Sequence, residues 1–331
     1  MKLTLFTSSV VASILGLTGA TLADPAVIFD LGGKFDKSFN EAAFTGAERW
    51  ASETGGTYAS FEISSDAQRE QAIRRFAETG NSPIVVAGFA WAAALETVAS
   101  DYPDTDFVII DMVVDQPNVR SVVFNEHEGS YLVGLMAGLA SETDVVGFIG
   151  GMDIPLIRKF GCGYAEGVLA ANADATVIAN MTGTTPAAWN DPIKGSELAL
   201  AQISQNADVV FAAAGGTGVG VLQAAADQEI LSIGVDSNQN YLHPGQVLTS
   251  MVKRVDNAVF SAFSEDDLIV EGINVMGIAN GGVGYTLDDF NNALVSEDMR
   301  TALTKAEAAI SSGALTVHDY MSDESCPFVQ F

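Results

Sequence analysis

Short apolar runs alternate with longer amphipathic segments along most of this 331-residue chain, and no other feature restricts its fold as much. Ala26 to Asp30, Tyr58 to Ile63, Ile84 to Ala87, Phe107 to Ile110 and Ser121 to Phe124 read as strands. Between them, Ser38 to Glu53, Gln68 to Glu78 and Ala92 to Ser100 read as helices. Ser38, with Glu41 three residues on, has the spacing of a capping box at the first helix start. Such a βαβ series implies a parallel sheet with helices on both faces. The pattern then restarts. Helices are expected at Glu128 to Ala140, Leu156 to Ala171, Gly195 to Ser204 and Val219 to Ala226. Strands are expected at Val145 to Ile149, Thr176 to Met181, Val209 to Ala213 and Ile230 to Val235. Leu248 to Lys253 reads as one more strand, followed by a helix from Asp256. Two similar α/β halves imply two lobes with a cleft between them.

The N-terminus points to export. Lys2 gives a short positive region, Leu3 to Gly19 is largely apolar, and Thr21-Leu22-Ala23 resembles a small-residue cleavage site. A signal peptide over residues 1–23 is therefore expected. No cysteine lies near the cleavage site, so the mature chain is expected to be soluble outside the cytoplasm, without a lipid anchor. No later run has the roughly 18 apolar residues of a membrane helix. The charge of −27, from 15 Lys and Arg against 42 Asp and Glu, disfavours nucleic acid and anionic lipid as partners. Cys162 and Cys326 either form one bond that pins the C-terminal tail or remain one buried and one exposed thiol. His127, His243 and His318 lack metal-ligand spacing and read as isolated surface histidines. No cofactor is implied.

Asp208 to Thr217 is an apolar run ending in Gly-Gly-Thr, and Gly234 to Gln239 reads Gly-Val-Asp-Ser-Asn-Gln. Buried strands ending in glycine let backbone amides approach a ligand, and the aspartate accepts hydrogen bonds from hydroxyl groups. In open α/β sheets, ligands collect at the carboxyl ends of the strands. Both segments therefore belong at the mouth of a small-molecule site.

Five motifs in order carry a resemblance. They are Asp36-Lys37-Ser38-Phe39-Asn40, Glu128-Gly129-Ser130-Tyr131, Gly147-Phe148-Ile149-Gly150-Gly151, Ala213-Ala214-Gly215-Gly216-Thr217-Gly218 and Gly234-Val235-Asp236-Ser237. Together they resemble the basic membrane protein family, the nucleoside receptors of ABC transporters, over nearly the whole mature chain. The resemblance implies a type I periplasmic-binding-protein fold: two doubly wound parallel-sheet lobes joined by three crossovers, near Phe124, Lys253 and Gly272. The lobes would comprise residues 24–124 with 254–272, and 125–253 with 273–331. A purine nucleoside would be held between them. By motif, Phe39 and Phe211 would sandwich its base, Asp30 and Asp111 would read its polar edges, and Gly216, Asp236 and Lys253 would hold the ribose. The implied partners are that ligand and an inner-membrane permease, with the receptor a monomer that, lacking the family's lipoprotein cysteine, would diffuse freely in a periplasm. Around Trp189-Asn190-Asp191-Pro192 the family more often has Phe before the Asp, so Trp189 either lines the site or only packs.

Other functions fit the residues less well. Gly216-Thr217-Gly218-Val219-Gly220 is not the G-x-G-x-x-G of a dinucleotide site and comes late in the chain. A secreted nucleoside hydrolase could use Asp30 and Asp111 as an acid–base pair, or as metal ligands with Asp236, but no nucleophile elbow, Cys–His pairing or H-E-x-x-H accompanies them. A sugar or amino-acid receptor of the same fold stays open. A repressor of this fold is not expected, because a signal peptide and no helix-turn-helix precedes the first lobe.

Overall fold

In the computed structural model, residues 23–264 and 272–331 are described, so the expected signal peptide falls outside them except for Ala23. The first half runs β1 (Ala26–Phe29), α1 (Phe39–Thr54), β2 (Ala59–Glu62), α2 (Arg69–Glu78), β3 (Ile84–Ala87), α3 (Ala92–Ala99), β4 (Phe107–Ile110) and β5 (Val119–Phe124). The second runs α4 (Glu126–Ala140), β6 (Val145–Met152), α5 (Pro155–Ala171), β7 (Thr176–Gly183), α6 (Pro192–Ile203), β8 (Val209–Ala213), α7 (Thr217–Asp227), β9 (Leu231–Asp236) and β10 (Val247–Lys253). Then come α8 (Val255–Ser264), β11 (Gly272–Met276), β12 (Val283–Tyr285) and α9 (Glu297–Ser311).

The strands form two six-stranded sheets, ordered β11-β5-β4-β3-β1-β2 and β12-β10-β9-β8-β6-β7. The two orders are the same pattern repeated, with the switch point between β1 and β3 in one sheet and between β6 and β8 in the other. Each of β1, β3 and β4 is buried along its whole length. That is why these strands read as unbroken apolar runs. The edge strand β2 alternates instead. All pairings in the first sheet are parallel; in the second, only β12 runs antiparallel, against β10.

Helix α8 packs on α1 in the first lobe. There Arg49 Nη2 donates to Asn257 Oδ1 at 3.0 Å. Strand β11 pairs with β5 from Gly272 to Met276, so the chain returns to the second lobe after Met276, four residues past Gly272. The crossovers touch: the Asn125 amide donates to the Met276 carbonyl at 2.8 Å.

Two local expectations need correction, and one open alternative is decided. Ser38 makes no side-chain cap bond to α1. Asp36 caps the helix, its carboxylate accepting from the amides of Ser38 (2.8 Å), Asn40 (3.0 Å) and Glu41 (3.1 Å). Two carboxylate oxygens satisfy three orphan amides where one hydroxyl would satisfy one. His127 is not a surface residue: it is buried on α4, and burial pushes its pKa down to about 4. Of the two cysteine readings, the structure has the bond. Cys162 on α5 is joined to Cys326 with their Cα atoms 5.7 Å apart.

Helices α4 and α5 lie unusually close. A Cβ at Gly134 would strike the Tyr164 carbonyl, and one at Gly167 would strike the Tyr131 carbonyl. Small residues are the only ones that fit this contact, and α5 carries part of the cleft wall on its first turns.

Candidate functional site

The carboxyl ends of strands from both sheets converge on one cleft. Asp30 follows β1, Asp111 follows β4, Asp236 closes β9 and Lys253 closes β10, and all four line it. Phe39 enters from the first turn of α1, and Ile157 and Phe160 enter from α5. Trp189 reaches the cleft from a 3-10 turn, Pro186–Trp189. That turn is held because Thr217 Oγ1 donates to the Ala188 carbonyl (2.8 Å) and accepts from the Asp191 amide (2.7 Å). Trp189 therefore lines the site.

Asp111 and Asp236 both have left-handed backbones, with φ of 73° and 62°. Aspartate tolerates this region better than most residues, and such strain gathers at functional sites. Gly88, after β3, has φ of 117°, and a Cβ there would lie 2.5 Å from Asp30 Oδ2. Only glycine lets the two strand ends come together at that point.

Lys253 is the electrostatic centre. Its Nζ lies 2.6 Å from Asp111 Oδ1 and 2.9 Å from Glu126 Oε1, and it is 2% exposed. Phe39, Phe124 and Phe160 surround the ammonium at 5.0–5.7 Å from their ring centres. Burial opposes its charge, but Asp111, Glu126 and Asp236 outweigh that and hold its pKa above the ordinary lysine value. Glu126 is also 3.0 Å from Lys159 Nζ. Burial pushes its pKa up, yet the two lysines prevail and keep it low. Asp111 and Asp236 fare differently, because they share one cation with Glu126. Burial raises each to about 6, only partly offset by Lys253.

Asp30 is paired with Arg69 at 2.6 Å. Burial nonetheless pushes its pKa up, with Arg69 opposing.

The lobes also touch directly beside the cleft. Ser38 Oγ donates to Asp236 Oδ2 at 2.5 Å, Ser237 Oγ donates to the Ser38 carbonyl at 2.8 Å, and Gln239 Nε2 donates to the Lys37 carbonyl at 2.9 Å. Ser38 is thus freed from capping to join the lobes.

Of the residues singled out in the sequence, Asp30, Phe39, Asp111, Asp236 and Lys253 come together here. Phe211 does not. It is fully buried in the middle of β8, its ring 5.6 Å from that of Phe148 and 5.3 Å from that of Tyr164. The cleft receives only the end of that strand, Ala213 and then Gly215. The aromatic wall of the second lobe is instead Phe160 and Trp189. Gly216 caps α7 behind Trp189, while Gly215 faces the cleft. Arg69 and Glu126 escaped sequence reading, because nothing local marks a charge whose partner lies on another element. Asp36, not among the ligand contacts the resemblance implied, both caps α1 and lines the cleft. Among the described residues no cluster of His, Cys, Asp or Glu could hold a metal ion.

Two parallel α/β lobes around a cleft at their strand ends define a solute-binding protein of the type I periplasmic-binding-protein fold. A solved ABC transporter solute-binding protein from Aeropyrum pernix superposes with a TM-score of 0.81 at 28% identity, covering 89% of this chain and 92% of that one. Residues 24–316 match the Bmp family, the PnrA-like substrate-binding proteins of ABC transporters, and the chain belongs to that family. An ABC transporter nucleoside-binding protein, BmpA of Lactococcus lactis, is 31% identical over 332 residues, 91% of each chain. An uncharacterised lipoprotein of Pyrococcus furiosus is 33% identical over 284 residues, 78% of this chain and 69% of that one.

That lipoprotein, with similar ones from two other Pyrococcus species, corrects the expectation of a periplasmic receptor without a lipid anchor. A lipoprotein is held at a membrane by its acyl chains. The expectation rested on one missing cysteine, whereas the likeness to lipoproteins extends over most of the chain.

Proposed function

We propose that this ABC transporter substrate-binding protein takes a purine nucleoside between its lobes and releases it unchanged to a permease. The observation that carries this reading is the composition of the cleft. Aromatic rings from both lobes, Phe39 on one and Phe160 and Trp189 on the other, share it with strand-end carboxylates and a charge-paired lysine. Aromatic faces suit the flat base, each stack being worth roughly 1–3 kcal/mol. Asp30 and Asp111 supply acceptors for base N–H groups, and Asp236 with Lys253 supplies an acceptor and a donor for ribose hydroxyls. The relative named as nucleoside-binding supports the same ligand. The receptor acts as a monomer, and residues 254–276 belong with the first lobe. The interlobe bonds of Ser38, Ser237 and Gln239 form on closure, so the ligand shifts an open–closed equilibrium by its preference for the closed state.

The test is thermal unfolding of the purified mature chain, stripped of carried ligand, against nucleosides, free bases, pentoses and amino acids. A ligand at a hundredfold over Kd adds about 2.7 kcal/mol, which raises the midpoint by several degrees. A rise with inosine, guanosine or adenosine, none with ribose, and intact nucleoside recovered afterwards are expected. A rise with pentoses or amino acids alone would overturn the ligand. Free base and ribose in the recovered material would overturn the binding-only role.

A further inference from the structure

Arg69 opens α2, away from the cleft wall, yet its side chain is only 7% exposed and its guanidinium is committed to one cleft residue. Nη2 lies 2.6 Å from Asp30 Oδ1 and 2.8 Å from Asp66 Oδ1, and Nε donates to Asp66 Oδ1 at 3.1 Å. The guanidinium carbon sits 4.7 Å from the ring centre of Trp91, itself fully buried. The Trp91 indole N–H donates to the Ala87 carbonyl at the end of β3, next to Gly88. Arg69 thus ties together the ends of β1 and β3, the switch point of the first sheet.

The consequence falls on Asp30. Its Oδ1 accepts from Arg69 and from the Leu31 amide at 2.7 Å. Its Oδ2 accepts no hydrogen bond from any described residue and lies against Gly88 at the cleft. One oxygen is anchored and the other is left for a ligand. We propose that Arg69 is the positioning residue for ligand recognition: it clamps Asp30 by one oxygen, so that the other stands in the cleft as an acceptor for a base N–H. This rests on the nucleoside reading above and adds to it the residue that sets which base edge is accepted. Burial already pushes the Asp30 pKa up against the pull of Arg69, so removing the clamp shifts the carboxyl further toward its protonated form, which donates where the carboxylate accepts.

The experiment uses the full mature chain and the variants Arg69→Gln, Arg69→Lys and Asp30→Asn, with inosine and purine riboside as probes. The base of purine riboside carries no N–H. Calorimetry from pH 5 to 8 is expected to show Arg69→Gln weakening inosine about tenfold at neutral pH, and more as the pH falls, with purine riboside unchanged. Arg69→Lys recovers most of the loss. Asp30→Asn loses as much, and combining it with Arg69→Gln adds little, since the two act as one unit. Asp36, Asp111, Asp236 and Lys253 also face the cleft, and Asp66 faces Arg69. The titration of the four cleft groups is common to parent and variant, so the difference between the two pH profiles is the quantity read.

Carbon-13 titration of the Asp30 carboxyl in ligand-free protein is the second readout. Its midpoint is expected to rise in Arg69→Gln and to return in Arg69→Lys. Equal weakening of both probes at every pH, or no weakening, would overturn the assignment. So would an Asp30 midpoint that does not move. If the parent binds neither probe while the Asp30 midpoint moves, the nucleoside reading fails and takes the N–H half of the assignment with it, leaving the clamp established.

Discussion

Asp236 has three demands on it: it ends β9, it faces the cleft, and it accepts the Ser38 hydroxyl from the other lobe. Burial raises its pKa to about 6. A carboxyl whose folded pKa exceeds its unfolded value of about 3.9 holds extra protons in the folded state. Its contribution to stability is therefore present at low pH and lost as pH rises from about 4 to 6. Asp236→Asn is expected to flatten the fall in unfolding midpoint of the ligand-free protein over that range. A parent-like slope in the variant would place the titration elsewhere. The cleft aromatics separate in the same way by role. Trp189→Ala is expected to cost roughly 1–3 kcal/mol of nucleoside affinity with little change in unfolding midpoint. Phe211→Ala leaves a hole among Phe148 and Tyr164, so it is expected to cost about 3–5 kcal/mol of stability. Parallel denaturation and calorimetry on the two variants check both statements. Phe211 shows why sequence misplaced an aromatic. Along a buried strand every side chain is apolar, and nothing in Val-Val-Phe-Ala-Ala marks which position reaches the strand end.

At the scale of elements, the site is only as firm as the segments that present it. Asp36 organises the start of α1 and so places Phe39. Helix α5 places Phe160, and it is located by its close approach to α4. Gly134→Val is expected to force those helices apart and destabilise the fold by about 1–3 kcal/mol or more, as read from urea unfolding. Ligand affinity should fall with it, because Phe160 moves. Stability held at the parental value would mean the helices slide without cost. Element positions were largely legible beforehand, since a 3.6-residue or unbroken apolar pattern is a local property. The capping of α1 was not. The spacing of Ser38 and Glu41 suits a capping box, but the hydroxyl is drawn across the cleft to Asp236, 198 residues away.

At the scale of the whole molecule, the chain is held together by ties between distant segments. The Cys162–Cys326 bond spans 164 residues and secures the tail to α5. On that tail Phe331 packs against Phe148, and Tyr320 accepts from Arg158 at 3.0 Å. Replacing both cysteines by alanine is expected to cost roughly 4–5 kcal/mol by loop entropy. Denaturation with and without reductant checks this; a parent insensitive to reductant would remove the bond from the stability argument. By itself, the sequence determined the order of elements, the two-lobed parallel class and a cleft at the strand ends, because hydrophobic periodicity and chain connectivity fix these locally. Only the tertiary structure decided that Arg69 clamps Asp30, that Lys253 answers both Asp111 and Glu126, and that Phe160 and Trp189 stand where Phe211 was expected. Those outcomes depend on which buried charges and rings meet across elements far apart in the chain. Burial makes each meeting strongly favourable or costly, and no local pattern encodes it.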